Sequence, residues 1–117
     1  MPSSDFARAL ETAPVLEITV VGRKTGKKFS TPVWFVREGG TVYLLPVKGA
    51  STNWYRNILK NQTIELEASG KRTTATAQPI KDKKGIEQTV ARFTAKYGAR
   101  DVKRYYPRQD AAVQIAL

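Results

Sequence analysis

The stretch "TVVGRKTGKKFSTPVWF", Thr19 to Phe35, joins two apolar, β-branched runs through a tip carrying Arg23, Lys24, Lys27 and Lys28. Strand-like runs on either side of a glycine-bearing tip read as a β-hairpin. A hairpin can reverse direction with two residues of Asn-Gly type. This tip is longer and cationic, and it includes Gly22, Gly26 and the hydroxyl of Thr25. Glycines permit positive φ and close backbone approach. Successive N–H groups in such a turn form a concavity that suits an anion, and Arg23 and Lys24 add charge to it. A solvated basic hairpin tip is the competing reading of the same residues.

Working outward from the hairpin, Ser4 to Glu11 read as a short helix capped by Ser3 or Ser4 and ended by Pro14. Val15 to Val21 and Ser30 to Glu38 are the paired strands. A glycine turn, "EGGT", leads into a third strand, Thr41 to Lys48. The period then changes. In "GASTNWYRNILKN" the residues Trp54, Tyr55, Ile58 and Leu59 fall on a helical face, with Ser51 or Thr52 as the cap. "TIELEAS" alternates, with Ile64, Leu66 and Ala68 inward. "RTTATAQPI" is a threonine-rich strand. Asp82 caps a helix through Ile86, Val90, Phe93 and Tyr97 that stops at Gly98. "ARDVKRYYPR" is a short helical or irregular piece, and "AAVQIAL" closes the chain as a sixth strand.

Six short strands in a small chain leave aggregation-prone edges unless the sheet closes on itself. The expectation is therefore mainly β with flanking helices, a small barrel whose mouth or gap the helices cover. A ferredoxin-like or open-sheet α+β arrangement is the alternative. The 117 residues favour one domain spanning 1–117.

Composition narrows the function. The net charge of +10 implies an anionic partner: nucleic acid, a membrane surface or a phosphorylated small molecule. No apolar run is long enough to span a bilayer, and the N-terminus lacks a signal-peptide core. The absence of cysteine excludes disulfides and favours a cytoplasmic location. With neither histidine nor cysteine, the Ser-His-Asp and Cys-His triads and the usual zinc and iron–sulfur sites are excluded, and no metal is expected. Hard chemistry on such a chain falls to a bound organic cofactor, which the protein binds, orients and polarises.

A second anion candidate is "VKGASTNWYRN". Here Lys48 ends a strand, Gly49 and Ala50 let the backbone come close, and a helix starts. A helix N-terminus after a glycine-bearing loop presents free N–H groups and the positive end of its dipole. Ordinary capping is the competing reading. Trp34, Tyr43, Trp54, Tyr55, Tyr105 and Tyr106 are candidate aromatic walls, with core packing as the alternative for each.

"VGRKTGKKFSTPVWF", "GGTVYLLPVKG" and "NWYRNILKNQTIEL", in that order, resemble the deazaflavin-dependent nitroreductase family. That family belongs to the flavin- and FMN-binding split β-barrel group, alongside the pyridoxamine phosphate oxidases. The resemblance is good from Val15 to about Ala68 and looser beyond. It implies a six-stranded split barrel and a cofactor whose phosphate lies near the first loop. By position it implies cofactor binding by Arg23, Lys24 and Thr25, with Lys27 or Lys28 beside them. Thr31, Pro32, Val33 and Trp34 would line the ring-binding strand. Val47 and Lys48 form a second segment, and Trp54, Tyr55 and Asn57 lie on the helix that closes over the tail. This chain has Phe29 where members often carry a basic residue, and it lacks their long N-terminal segment.

The resemblance implies coenzyme F-420, a deazaflavin with a phosphate and an acidic tail, or alternatively FMN. The activity it implies is hydride transfer to a quinone, enone or nitro compound. No nucleophile is needed; a tyrosine or a backbone N–H could polarise the acceptor. Two other classes stay open: a basic barrel binding single-stranded nucleic acid, and a non-catalytic flavin or ligand carrier. Nucleic acid is disfavoured because the aromatics form no stacking ladder and no nucleic-acid motif appears. The oligomeric state stays open, a homodimer included.

Overall fold

The run from Ser30 to Glu38, which reads as one strand, is two in the computed structural model, which describes residues 2–117. β1 (Leu16–Val21) pairs antiparallel with β2 (Lys28–Val33), and that register ends at Leu16 opposite Val33. β3 (Val36–Glu38) pairs instead with β4 (Thr41–Leu44). Trp34 and Phe35 join them. The run looks continuous because both sides of it are buried: Phe35 enters the main core and Val36 a second one. Alternation therefore gives no sign of the break.

The remaining strands are β5 (Thr63–Ala68), β6 (Lys71–Ile80) and β7 (Ala112–Ala116). The sheet order is β2-β1-β5-β6-β7-β4-β3, seven strands rather than the six expected, and the break at Trp34–Phe35 accounts for the difference. β6 spans the whole curl. Residues Lys71 to Thr76 pair with β5, and Ala77 to Ile80 pair with β7. The two edge strands of the sheet are thus neighbours in the chain, linked by two residues whose Cα atoms step about 3.8 Å apiece. The sheet must curl to bring its edges that close.

α1 (Pro2–Leu10) places Phe6 and Leu10 in the interior of the curl, with Ile18, Leu66, Val42 and Ile115. α2 (Asn53–Lys60) closes the same core with Tyr55 and Ile58. α3 (Lys83–Tyr97) and α4 (Ala99–Tyr105) cover the outer face of β3, β4 and β7, where Ile86, Phe93, Val102 and Tyr106 pack on Val36, Leu45 and Ala112. Asp82 caps α3 as expected, accepting from the Gly85 N–H at 2.8 Å. The final segment before β7, open in the sequence between helix and loop, is helical through Tyr105. Among the described residues no helix is long and apolar enough to cross a membrane.

Candidate cofactor cleft

The β1–β2 loop, the break and the start of α2 surround one cleft of about 1310 Å³. It is cationic at one end and aromatic at the other.

At the cationic end the loop is tied to the helix. Asn57, 5% exposed, lies one helical turn from Trp54 and turns its carboxamide toward the loop. Its Oδ1 accepts from the Arg23 backbone N–H at 3.1 Å and from Arg23 Nη1 at 2.8 Å. Gly22 donates to the Lys27 carbonyl at 2.7 Å, and Gly26 donates to the Gly22 carbonyl at 2.9 Å. The Lys27 N–H donates to Thr25 Oγ1 at 3.3 Å. This corrects the expected concavity of free amides. Four loop N–H groups are spent inside the protein, which leaves those of Lys24 and Thr25 for a ligand. Gly22 is required for space: a Cβ there would meet the Phe29 ring at 2.5 Å. Phe29 thus fills with an aromatic floor the position where a cation was expected.

The helix end differs from expectation too. Thr52 occupies the cap position of α2 but its side chain makes no cap bond. Instead Thr52 Oγ1 accepts from the Lys48 N–H at 2.8 Å. The first-turn amides of α2 therefore have no side-chain cap, and Thr52, Asn53 and Trp54 line the cleft. Such a helix end attracts anions. The turn before it is held from the C-terminal side. Asp110 Oδ1 accepts the Ala50 N–H at 2.9 Å, and Arg108 Nη1 donates to Ser51 Oγ at 3.0 Å.

At the aromatic end Trp34 stacks on Tyr97, centroids 4.2 Å apart and planes 14° apart. Tyr105 approaches Trp34 edge-on at 5.4 Å, and Tyr106 lies 6.2 Å away. Trp34, Tyr105 and Tyr106 all line the cleft. Burial, and secondarily the neighbouring Tyr97, raises the Tyr106 phenol far above its ordinary range, so it stays a neutral donor.

Arg23, Lys24, Thr25, Thr31, Pro32, Val33, Trp34, Val47, Lys48, Trp54 and Asn57 all reach the cleft. Four expected residues do not. Lys27 lies exposed on the loop outside the cleft, and Tyr43 on β4 sits under the Arg92 guanidinium. Lys28 turns away and pairs with Glu65 on β5 at 2.8 Å. Tyr55 is 3% exposed in the main core, since one residue on from Trp54 rotates a helical side chain by about 100°. Trp54 serves both purposes, packed in the core and lining the cleft. The sequence reading of the cleft missed Val15, Val20, Phe29, Ser30, Leu45 and Asn53. It named Tyr105 and Tyr106 only as free-standing aromatics.

The curled sheet, the strand shared across it and the interrupted edge define a split β-barrel. The chain belongs to the F420H(2)-dependent quinone reductase family, whose model matches residues 3–111. An F420H(2)-dependent quinone reductase of Mycobacterium tuberculosis is 30% identical over 70 residues, 57% of this chain and 47% of that protein. The chain thus spans about half the length of that relative. Two solved structures share the fold. One is an F420-H2 dependent reductase, with TM-score 0.68 at 22% identity, covering 87% of this chain and 93% of the other. The other is a protein from Listeria innocua described as a pyridoxamine 5'-phosphate oxidase, with TM-score 0.68 at 13% identity, covering 99% and 93%.

Proposed function

We propose that the cleft binds coenzyme F-420 and that the protein passes a hydride from the reduced deazaflavin to a quinone. The observation that carries this is the polarity of one cleft. Arg23, Lys24 and Lys48 meet the uncapped start of α2 at one end, and Trp34, Tyr105 and Tyr106 stand at the other. An elongated ligand with a phosphate and a planar ring fits both ends. The spare amides of Lys24 and Thr25 fit the phosphate end.

The bound deazaflavin supplies the hydride; the chain's own residues do the rest. Arg23, pinned by Asn57, presents its guanidinium without first having to be ordered, which saves binding entropy. Lys24 and Lys48 neutralise the phosphate and the acidic tail as point charges. Thr31 to Trp34 and Val47 exclude water from the ring. Tyr106, a neutral phenol lining the ring end of the cleft, would donate a hydrogen bond to the acceptor oxygen as negative charge develops there. One hydride and one proton convert a quinone to its hydroquinone, and solvent at the open cleft supplies the proton. Enones and nitro compounds are acceptors of the same electron-poor kind.

Equilibrium dialysis against F-420 and FMN, followed by absorbance of the retained ligand, tests the cofactor. F-420 is expected to be retained. Retention of FMN alone would overturn the assignment. Tight binding of single-stranded oligonucleotide, steeply weakened by salt, with neither flavin retained, would transfer the site to nucleic acid. With F-420 bound, oxidation of its reduced form by menadione is the expected turnover; binding without turnover leaves a carrier.

A further inference from the structure

Phe35 belongs to neither sheet ladder, since the β1–β2 register stops at Val33 and the β3–β4 register begins at Val36. A residue in such a gap, buried at 1% exposure, must satisfy its backbone elsewhere. The end of α3 does this. The Phe35 N–H donates to the Tyr97 hydroxyl at 3.1 Å, and that hydroxyl donates to the Phe35 carbonyl at 2.8 Å. Lys96 Nζ donates to the same carbonyl at 2.7 Å and lies 4.0 Å from the centre of the Phe35 ring. Two consecutive helical residues thus clamp one residue of the barrel seam.

The same tyrosine reaches the cleft wall with its ring. Tyr97 stacks on Trp34 at 4.2 Å, and Phe93 backs Tyr97 at 5.7 Å. Trp34 is covalently next to the clamped Phe35. Its indole is therefore fixed twice, by the held backbone on one side and by a stacked ring on its face.

We propose that Tyr97 is a positioning residue for the ring end of the cleft: its hydroxyl locks the Phe35 backbone and its ring locks the Trp34 indole, setting the plane against which a planar cofactor lies. The inference rests on the deazaflavin reading of the cleft. An indole already fixed in one rotamer spares the binding step the entropy of ordering it. Tyr97 is not itself the proton donor to substrate, because its single O–H is committed to the Phe35 carbonyl. Burial raises its pKa and keeps that proton in place, with the Phe35 bond opposing in part. Lys96 shares the hold on the carbonyl, and its ammonium lies 5.1 Å from the centre of the Tyr97 ring, but it makes no stacked contact with Trp34.

The test uses the full chain with Trp54→Phe, which leaves Trp34 as the sole tryptophan of the original two. Adding Tyr97→Phe keeps the ring and removes the hydroxyl. Trp34 should then become more accessible to acrylamide and lose emission anisotropy. F-420 affinity should fall about fivefold, the equivalent of one net hydrogen bond. Adding Lys96→Met instead should loosen Trp34 less than Tyr97→Phe does, because the Tyr97 hydroxyl still holds both the N–H and the carbonyl of Phe35. Unchanged Trp34 accessibility in the Tyr97→Phe protein would overturn the proposal, and so would a loosened indole with undiminished F-420 affinity. If the parent retains no F-420 while Tyr97→Phe still loosens Trp34, the cofactor reading fails and the clamp stands. Should Tyr97→Phe not fold, amide exchange in the unmodified protein decides. The Phe35 N–H should be protected although it lies outside every ladder, and exchange at loop rates would refute the clamp.

Discussion

At the cationic end of the cleft one buried amide does the organising: Asn57 holds both the backbone and the guanidinium of Arg23. At the aromatic end the polar hold, Tyr97 and Lys96 on Phe35, fixes the backbone beside the rings and leaves the rings to one another. Trp34, Tyr97, Tyr105, Tyr106 and Phe93 hold one another through stacked and edge contacts between 4.2 and 6.2 Å. Hydrogen bonds to a charged group are directional, and leaving a buried partner unsatisfied costs more than making the bond gains. Ring contacts are broad and shared among neighbours. Damage at the first end should therefore be abrupt and local. Damage at the second should be graded and spread over several rings.

The largest expected effect belongs to the cationic end. Replacing Arg23 and Lys24 together by alanine should weaken F-420 binding by about 2–4 kcal/mol, through lost charge-assisted hydrogen bonds. The sequence places both residues on an exposed tip and so suggests that folding would be untouched. The structure separates them. Lys24 is exposed, and its loss should leave the thermal midpoint unmoved. Arg23 is part-buried on Asn57, and Arg23→Ala should also lower stability, by about 1 kcal/mol. Asn57→Leu should reproduce that stability loss with Arg23 still present. Equal F-420 affinity in parent and double variant, measured by titration, would remove the phosphate from this end.

The contrast between the ends also explains what was legible beforehand. Gly22 to Thr25 and Lys48 to Asn57 are short continuous stretches, so charge, glycine and helix period displayed the cationic end directly. The aromatic end is assembled across long separations: Phe35 meets Tyr97 62 residues away. No local pattern records that α3 and α4 fold back over the seam. The strand break escaped notice because Phe35 and Val36 are buried on opposite sides. Lys28 and Tyr55 were misplaced by one step of rotation or pleat, a detail set by tertiary partners: Glu65 for one and the main core for the other. Asn57, expected as a ligand contact, lines the cleft, and its carboxamide oxygen additionally holds Arg23.

A middle-sized effect compares the ends within one protein. The two tryptophans both line the cleft, Trp34 at the ring end and Trp54 beside the start of α2. F-420 binding should quench Trp34 more strongly, because a planar acceptor stacks at its end. The Trp54→Phe protein, which keeps Trp34, should therefore show the larger fractional quench. A bright Trp54→Phe protein at saturating F-420, with a strongly quenched Trp34→Phe protein, would reverse the orientation of the cofactor.

The smallest effect tests the outer support of the cationic end. Asp110 accepts the Ala50 N–H at 2.9 Å and pairs with Arg108 Nη2 at 3.2 Å, bracing the turn beside Lys48. The Ala50 bond first, and Arg108 second, lower its pKa below the ordinary 3.8. A carboxylate with a depressed folded pKa stabilises the fold fully above its unfolded pKa. That contribution is lost as the pH falls through the folded value. Because Asp110 is exposed, solvent screens the pair, and the contribution should stay under about 1 kcal/mol. Asp110→Asn keeps an oxygen for the Ala50 N–H and removes only the charge. The stability gap between parent and variant, read from urea midpoints, should be small at neutral pH and close as the pH drops through the carboxylate range. A gap that persists unchanged in acid would mean that Asp110 acts by the shape of its hydrogen bond and not by its charge. The turn would then resemble the Asn57 anchor, a neutral directional hold, and charge at this end of the cleft would be reserved for the residues that face the ligand.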